Sequence, residues 1–378
     1  MTLMLSAENV ASVSEWAERS EYWRALDAGA ITTRRRRDRN TKPLILCGHG
    51  VSLRVHNGSL VIRDGFTHYP QEQVSHRFFC GDLSLPPRII LIDGSGTLSF
   101  DVLTWLSEQG VALVRIDWSG GAASVLAGPG YAADRDKVRW QETTRDDQAK
   151  QVAFSVGLIQ RKLECSLVAI AETAPSSNAQ QVALDRTRQN LDRLQSAPPQ
   201  TLKALLGLEA DTAARYFAAW HGAPLQWRGS TRHPIPDAWR TIGSRSSGRK
   251  GTQATNRRAT HPVNAMLNYA YAVLQAQVQN QVVADGYDPT IGIMHGAYRG
   301  KPGFVLDMME PGRPQIDAAV LSFALSETFT GSDFTIRSDG VCRLSPQLAR
   351  RIVSISAGIE TGAETIAHWM PAIGLRPL

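Results

Sequence analysis

The hydrophobic pattern of the chain changes from strand-like to helix-like after its first third, and this change restricts the fold more than any other feature. Between Pro43 and about Leu126, apolar residues alternate with polar ones or come in short runs, as in β-strands. From about Val138 onward they recur at spacings of three and four, which is typical of amphipathic helices. The pattern predicts an α+β fold, with a β-rich N-terminal domain followed by a larger all-α C-terminal domain.

Local signals define the elements of the β-rich region. Leu53–Ile62 alternates around Asn57-Gly58, a pair that favours the type I′ turn of a β-hairpin. A buried strand, a short helix and a further strand are expected at Arg88–Ile92, Ser99–Gln109 and Val111–Ile116. Between the first two lies Asp93-Gly-Ser-Gly96, which lacks the third glycine of a nucleotide-binding loop and therefore predicts a plain turn.

Glycine and proline mark a domain boundary at Gly128-Pro129-Gly130. The length of 378 residues also exceeds what one hydrophobic core usually organises. We therefore expect three parts: an N-terminal extension with an arginine arm at residues 1–40, a β-rich domain at 41–130 and an α-helical domain at 131–378.

Charge and cysteine usage narrow the class of protein. The net charge is +6, and only seven of the 41 basic residues are lysine. Arginine binds phosphate oxygens through a planar fork, which suits a polyanionic partner, although a GC-rich genome, which favours arginine codons, gives the same composition. The four cysteines form no CxxC pair, so neither a zinc ribbon nor a disulfide framework is indicated. Without a signal peptide or a run of about 18 apolar residues, a cytoplasmic location with no membrane contact is expected.

Two basic segments are candidates for contact with DNA phosphates. The run Arg34–Arg37, followed by Arg39, is typical of a solvated arm, and DNA contact is the sharper hypothesis. The stretch Gly248–Thr260 is either a solvated loop or a DNA-contacting loop, and its basic residues are Arg249, Lys250, Arg257 and Arg258.

An acidic residue interrupts an apolar helix face between Thr201 and Trp220. Glu209 lies four residues after Leu205 and four before Ala213, so a helix here directs its carboxylate inward. A buried carboxylate needs a cation or several donors, which makes this position informative. The alternative is a glutamate at the edge of the stripe, paired with an arginine. The stripe consists of Leu202, Leu205, Leu206, Ala213, Tyr216, Phe217 and Trp220.

A further helix is expected to begin at Pro262, because proline suits the first helical turn. Asn264, Asn268 and Tyr271 lie on a polar strip beside its apolar face.

A histidine and two acids follow this helix. Two short strands, Thr290–Gly296 and Phe304–Leu306, are expected to form a hairpin joined by glycines. That hairpin would bring His295 and Asp307 to one end, with Glu310 one helical turn further on.

Each of these residues also has a plainer interpretation. A lone histidine is more often packed or exposed than a ligand, and Asp307 with Glu310 matches a helix-capping box. Pro311 directly follows Glu310 and disfavours helical geometry there, which weakens the capping interpretation. If Glu209, His295 and Glu310 converge, two carboxylates and one imidazole would bind Mg²⁺ or Mn²⁺. Such an ion polarises a phosphodiester, as in a nuclease or a strand-transfer enzyme.

Four motifs together resemble those of the CRISPR-associated endonuclease family, the integrases of spacer acquisition. They agree with the family in order and spacing over roughly Leu44 to Ile352. They are Gly207-Leu-Glu-Ala-Asp-Thr-Ala-Ala-Arg-Tyr-Phe217, Pro262-Val-Asn-Ala-Met-Leu-Asn-Tyr-Ala-Tyr271, Ile291-Gly-Ile-Met-His295 and Val305-Leu-Asp-Met-Met-Glu-Pro-Gly-Arg-Pro314.

The resemblance implies a homodimer joined mainly through the β-rich domains, and a catalytic metal site in the helical domain. Its metal ligands would be Glu209, His295 and Glu310, with Asp307 as a nearby supporting acid. It also implies a small second adaptation protein as a partner. The expected reaction inserts short duplex DNA into a repeat array by attack of a 3′ hydroxyl on a phosphodiester, and branched DNA is the expected substrate for nicking.

Two alternatives stay open from the sequence. One is a transposon-type or repair nuclease that uses the same catalytic domain outside any repeat array. The other is a DNA-binding scaffold without catalytic activity, which would bind no metal at Glu209, His295 and Glu310.

Overall fold

A computed structural model of the protein describes residues 17–24, 40, 42–66, 73–116, 122–125, 134–229, 234–245, 259–296 and 302–359. The chain divides into two compact units, Met1–Asn40 and Thr41–Leu378. In the first unit residues 17–24 are helical (α1), and the arginine run at 34–39 lies outside the described residues. The three-part division expected from the sequence stays a prediction.

A six-stranded mixed sheet forms the β-rich region. Its strands follow the spatial order β3-β2-β1-β4-β5-β6. The pairs β1–β4 and β4–β5 are parallel, and the remaining pairs are antiparallel. The strands are β1 (Leu44–His56), β2 (Ser59–Arg63), β3 (Ser75–Phe78), β4 (Arg88–Leu98), β5 (Ala112–Ile116) and β6 (Ala122–Val125).

The predicted hairpin is confirmed at the turn between β1 and β2. Asn57 and Gly58 both have positive φ angles, 50° and 71°, as a type I′ turn requires. The predicted short helix is α2 (Phe100–Glu108), which begins after Ser99. The strand predicted to follow it is β5.

The plain turn predicted at Asp93-Gly-Ser-Gly96 is wrong, because β4 continues through these residues. The strand is irregular here: its register against β1 shifts twice, and Asp93 and Gly94 have φ angles of 40° and 94°. The glycines are needed for a close approach of the two strands. A Cβ on Gly94 would lie 1.9 Å from the carbonyl oxygen of Gly48, and one on Gly96 would lie 2.1 Å from that of Val51. Such glycine-dependent irregularity is typical of a β-bulge.

Helices dominate the chain after the sheet, as predicted. They are α3 (Arg135–Asp146), α4 (Gln148–Thr173), α5 (Asn178–Ser196), α6 (Leu202–Ala218), α7 (Pro262–Ala284), α8 (Gly303–Met309), α9 (Arg313–Ser326) and α10 (Pro346–Ala357). The expectation of an all-α region needs one correction, since two pairs of three-residue strands also occur: β7 (Gln226–Arg228) with β8 (Thr328–Thr330), and β9 (Phe334–Ile336) with β10 (Cys342–Leu344). No helix among the described residues is both long and apolar enough to cross a membrane.

One hydrophobic cluster joins the sheet to the helices. Ile92 of β4 belongs to the same cluster as Met266 of α7 and Ile352 of α10. Ile89, three residues earlier on β4, faces the opposite side of the sheet, where it clusters with Trp105 of α2. The sheet is therefore covered on both faces, and the face bearing Ile92 shares its core with the helices that carry the candidate site.

Asp64 reinforces this junction from the end of β2. Its carboxylate accepts hydrogen bonds from the backbone N–H groups of Cys47, at 2.9 Å, and Gly65, at 2.8 Å. It also pairs with the guanidinium of Arg350 on α10. Because Asp64 is 5% exposed, its charge depends on these partners for compensation.

We expect Asp64→Ala to lower the free energy of unfolding by about 3 kcal/mol, since two buried N–H groups and Arg350 lose their acceptor. Urea unfolding followed by circular dichroism measures this change. The matched control is Asp101→Ala, at an exposed position in the first turn of α2, which should change the value by less than about 1 kcal/mol. Equal effects of the two substitutions would contradict the assigned role of Asp64.

Candidate metal centre

Asp307 of α8 holds the preceding loop against its helix. Its Oδ2 accepts hydrogen bonds from the backbone N–H groups of Ile293, at 2.6 Å, and Met294, at 3.1 Å. Its Oδ1 accepts one from the N–H of His295 at 2.8 Å. The side chain is fully buried, so these three donors are what stabilises its carboxylate. The loop that carries His295 is thereby fixed to α8.

The hairpin predicted for this region is wrong. Residues 290–296 form turns and bends, and Gly303–Met309 is a helix rather than a strand. The loop packs tightly on the start of that helix, because a Cβ on Gly292 would lie 2.8 Å from the backbone carbonyl carbon of Gly303. Phe304–Leu306 is a short apolar run, and periodicity does not separate helix from strand in such a run. The structure nevertheless brings His295 and Asp307 together.

His295 is oriented by a hydrogen bond between its side chain and Asp307. Its Nδ1 lies 2.7 Å from Oδ1 of Asp307, which favours the tautomer with the proton on Nδ1. That tautomer leaves Nε2 as a lone-pair donor, 3.9 Å from Oε1 of Glu310. The side chain is 36% exposed, so a ligand can reach Nε2.

Glu310 begins a single 3₁₀ turn, Glu310–Gly312, that links α8 to α9. Its φ of −52° and ψ of −45° are helical, so the loss of helical geometry predicted before Pro311 is wrong. Proline is tolerated because it stands in the first turn of the new segment, where its missing N–H is not needed. The capping-box interpretation is also wrong, since Asp307 lies inside α8 rather than at its N-cap. The three-residue spacing places both acids on one side of a continuous helical path.

Glu209 is joined to Glu310 by a lysine from α4. The Nζ of Lys162 lies 2.5 Å from Oε1 of Glu209 and 2.7 Å from Oε2 of Glu310. The sequence offered an arginine partner for Glu209 as the alternative to a metal, and the partner in the structure is a lysine. Both glutamates therefore direct an oxygen at one position, which the ammonium group occupies.

The protonation states of these groups follow from burial and charge. Burial alone would lower the pKa of Lys162, but Glu310 and Glu209 outweigh this effect and raise the pKa, so the ammonium is charged. Burial alone would raise the pKa of Glu310, but Arg313, whose Nε lies 2.9 Å from Oε1, and Lys162 hold this pKa at about 2. Glu310 is thus an ionised carboxylate despite its burial.

The donor set fits a hard divalent cation once Lys162 moves. Among the described residues, no three acidic, histidine or cysteine side chains are close enough together for a metal site in the present arrangement, in which Lys162 lies between the two glutamates. Two carboxylates and one imidazole nitrogen are ligands that Mg²⁺ and Mn²⁺ accept. The 3.9 Å between Nε2 of His295 and Oε1 of Glu310 lies within the span of two coordination bonds of about 2 Å each. An ion and the ammonium would compete for the same two carboxylates.

Other residues singled out from the sequence have separate outcomes. Leu206, assigned to the buried stripe of α6, is 38% exposed, so that assignment is wrong. The basic residues proposed for DNA contact lie outside the described part of the chain: Arg249, Lys250, Arg257 and Arg258.

Lys162 was not predicted. It lies four residues after Leu158 and three after Ile159, both apolar and buried, so the rule that singled out Glu209 also applies to Lys162.

The chain matches a family model described as CRISPR associated protein Cas1 over residues 44–355. A Cas1 endonuclease of Archaeoglobus fulgidus is 25% identical over 328 residues, which cover 83% of this chain and 86% of that protein. A Cas4 exonuclease/Cas1 endonuclease fusion of Rhodospirillum rubrum is 28% identical over 229 residues, or 60% of this chain. The match spans only 36% of the length of the fusion.

Solved structures share the fold. A casposase bound to its integration product superposes with a TM-score of 0.66 at 23% identity, over 84% of this chain and 82% of that one. One chain of a Cas6-RT-Cas1–Cas2 complex superposes with a TM-score of 0.60 at 15% identity, over 88% of this chain and 34% of that one. The fold, the arrangement of the motifs and the family match over most of the chain agree, and the protein belongs to the Cas1 family.

Proposed function

We propose that the protein is a divalent-metal-dependent DNA endonuclease and integrase of CRISPR adaptation. In this proposal it inserts short duplex DNA into a repeat array by attack of a 3′ hydroxyl on a phosphodiester. One observation carries the proposal: Glu209 and Glu310 direct oxygens at a single cation, the Lys162 ammonium, and Nε2 of His295 lies 3.9 Å from Oε1 of Glu310. The names of the Archaeoglobus and Rhodospirillum relatives, which are endonucleases, support it.

The side chains divide into ligands and supporting groups. Glu209, His295 and Glu310 would hold Mg²⁺ or Mn²⁺, which polarises a phosphodiester and stabilises a leaving or attacking oxygen. Asp307 orients the imidazole of His295 by accepting from Nδ1, which directs Nε2 toward the proposed ion. Arg313 holds Glu310 in its ionised form through their ion pair. Asp307 therefore acts as a positioning residue rather than as a ligand, because its oxygens are occupied by three backbone donors.

The partners belong to the same proposal. Double-stranded and branched DNA are the proposed substrates, and a homodimer joined through the β-rich region is the proposed assembly. A small second adaptation protein is the further partner, in line with the Cas1–Cas2 complex that contains a similar fold. The cytoplasmic location expected from composition also remains part of this proposal.

Two observations favour other functions. The likeness to a casposase favours a transposon-type nuclease. This function needs neither a repeat array nor an adaptation partner. The genes that neighbour the coding sequence therefore distinguish it from an integrase of CRISPR adaptation. The second observation is the compensation of Glu209 and Glu310 by Lys162 without any metal, which favours a non-catalytic DNA-binding scaffold. Metal binding and DNA cleavage by the purified protein would exclude the scaffold, and the absence of both would support it.

Purified protein should nick branched DNA in Mn²⁺ and give no product in excess chelator, because the two carboxylates cannot activate a phosphodiester on their own. Gel separation of end-labelled strands measures the product. Full activity in chelator would contradict metal dependence.

His295→Ala should reduce the nicking rate by at least about a hundredfold, since one ligand and its orientation by Asp307 are lost. DNA affinity should stay within about twofold of the original, because phosphate contacts of basic residues supply most of it. Fluorescence anisotropy of labelled DNA gives the affinity, and His221→Ala at an exposed histidine is the matched control. Retained nicking in the His295 variant would remove His295 from the ligand set.

Lys162→Met should tighten Mn²⁺ binding by about tenfold, because the ion no longer displaces an ammonium from Glu209 and Glu310. Isothermal titration calorimetry measures this without any catalytic readout. Lys150→Met, at an exposed lysine in the first turn of α4, should leave Mn²⁺ affinity unchanged. Weaker Mn²⁺ binding in the Lys162 variant would show that the lysine does not compete with the ion.

A further inference from the structure

A cavity of about 130 Å³ lies beside the candidate metal centre, between α4, α6, α7 and α9. Lys162 and Glu209 line it, so the cavity and the metal centre share two residues. Two arginines, Arg245 and Arg313, contribute further positive charge to its wall. The cavity is large enough to hold one tetrahedral oxyanion.

Tyr271 holds the two arginines in place. The guanidinium carbon of Arg245 lies 5.4 Å from the centroid of the Tyr271 ring, and that of Arg313 lies 5.0 Å from it. Such cation–π contacts restrict the guanidinium groups before any ligand arrives. The ring itself is fixed because its hydroxyl donates a short hydrogen bond to the buried Asp317. The cations are therefore preorganised rather than mobile.

Arg245 differs from the other two cations in its partners. Lys162 is shared by two glutamates and Arg313 pairs with Glu310. Arg245 donates to the neutral amide oxygen of Asn268 at 3.3 Å, and no carboxylate within the described ranges lies at ion-pair distance from it. Nη1 of Arg245 and Nε of Arg313 are both buried without a hydrogen bond among the described residues, but Nε of Arg313 lies 2.9 Å from a carboxylate oxygen of Glu310 and Nη1 of Arg245 has no such ion pair. A buried guanidinium donor without an acceptor is costly, so this group is set up for an anion.

The cavity suits an anion better than a nucleobase. Base recognition needs an open aromatic face for stacking, but the Tyr271 ring is covered by guanidinium groups. The ring of Tyr216 contacts those of Trp220 and Phe217, at centroid distances of 4.7 and 5.1 Å. Arginine forks match phosphate oxygens in number and geometry.

We propose that this cavity binds one phosphate of the DNA backbone, next to the phosphodiester that reacts at the metal centre, and that Arg245 is its principal donor. The proposal rests on the proposed function, because it assumes that DNA lies across Glu209 and Glu310. Arg245 is then a positioning residue that sets which phosphodiester reaches the metal ligands. The same contact gives specificity for position along the backbone without reading any base.

The test replaces single backbone phosphates near the branch point by uncharged methylphosphonates. Fluorescence anisotropy in excess chelator measures the affinity of each DNA, so no cleavage or metal is needed. For the unaltered protein, one position should weaken binding by about tenfold, as expected for loss of one charged contact. Arg245→Gln should show this loss with natural DNA and no further loss at that position.

Arg240→Gln is the matched control, because Arg240 is an exposed arginine five residues earlier, paired with Asp237. It should keep both the original affinity and the sensitivity to the methylphosphonate. Arg245→Lys keeps the charge and should retain the positional sensitivity, which guards against a variant that merely loses its fold. If the losses of affinity from Arg245→Gln and from the methylphosphonate multiply at every position, the two changes act independently and the proposal is overturned. Absence of Mn²⁺-dependent nicking by the unaltered protein would instead count against the proposed function, and the binding measurements would stay interpretable.

Discussion

The ammonium of Lys162, shared by Glu209 and Glu310, is the interaction on which the candidate site depends. It joins α4, α6 and the turn before α9, three segments that are far apart in the sequence. Two carboxylates that face one buried position repel each other unless a cation lies between them. The charge of the lysine keeps them converged, so the structure is compatible with a site that is organised before any ion binds. The same ammonium is then what an ion must displace.

Asp307 supplies the second constraint, by fixing the loop of His295 to α8 through three backbone hydrogen bonds. Glu310 and Arg313 follow Asp307 on the helical path that runs from α8 through the 3₁₀ turn into α9. The histidine, the acid and their partners are thus set by one short stretch of chain, while Glu209 and Lys162 come from neighbouring helices. Lys162 couples these two parts of the site, because its ammonium pairs with both Glu209 and Glu310.

Sequence reasoning was sufficient where a local signal was strong. Asn57-Gly58 tolerates the two positive φ angles that a type I′ turn requires, and Pro262 suits a helix start, so both elements were predicted correctly. It was insufficient where tertiary contacts decide. The run around Phe304 is too short for its periodicity to separate helix from strand, and packing against Gly292 selects the helix. The irregular course of β4 at Gly94 depends on the approach of Gly48, which no local pattern contains.

Convergence of Glu209 with Glu310 followed from the resemblance and from an acid on an apolar face, whereas the lysine between them was missed.

In the proposed metal centre, one divalent ion replaces the Lys162 ammonium between Glu209, His295 and Glu310. A crystal structure of the protein soaked in Mn²⁺, with anomalous scattering data, tests it most directly. We expect an anomalous peak about 2.0–2.3 Å from oxygens of both glutamates and Nε2 of His295, with Lys162 moved away. Mn²⁺ bound elsewhere, with the ammonium still between the glutamates, would contradict it.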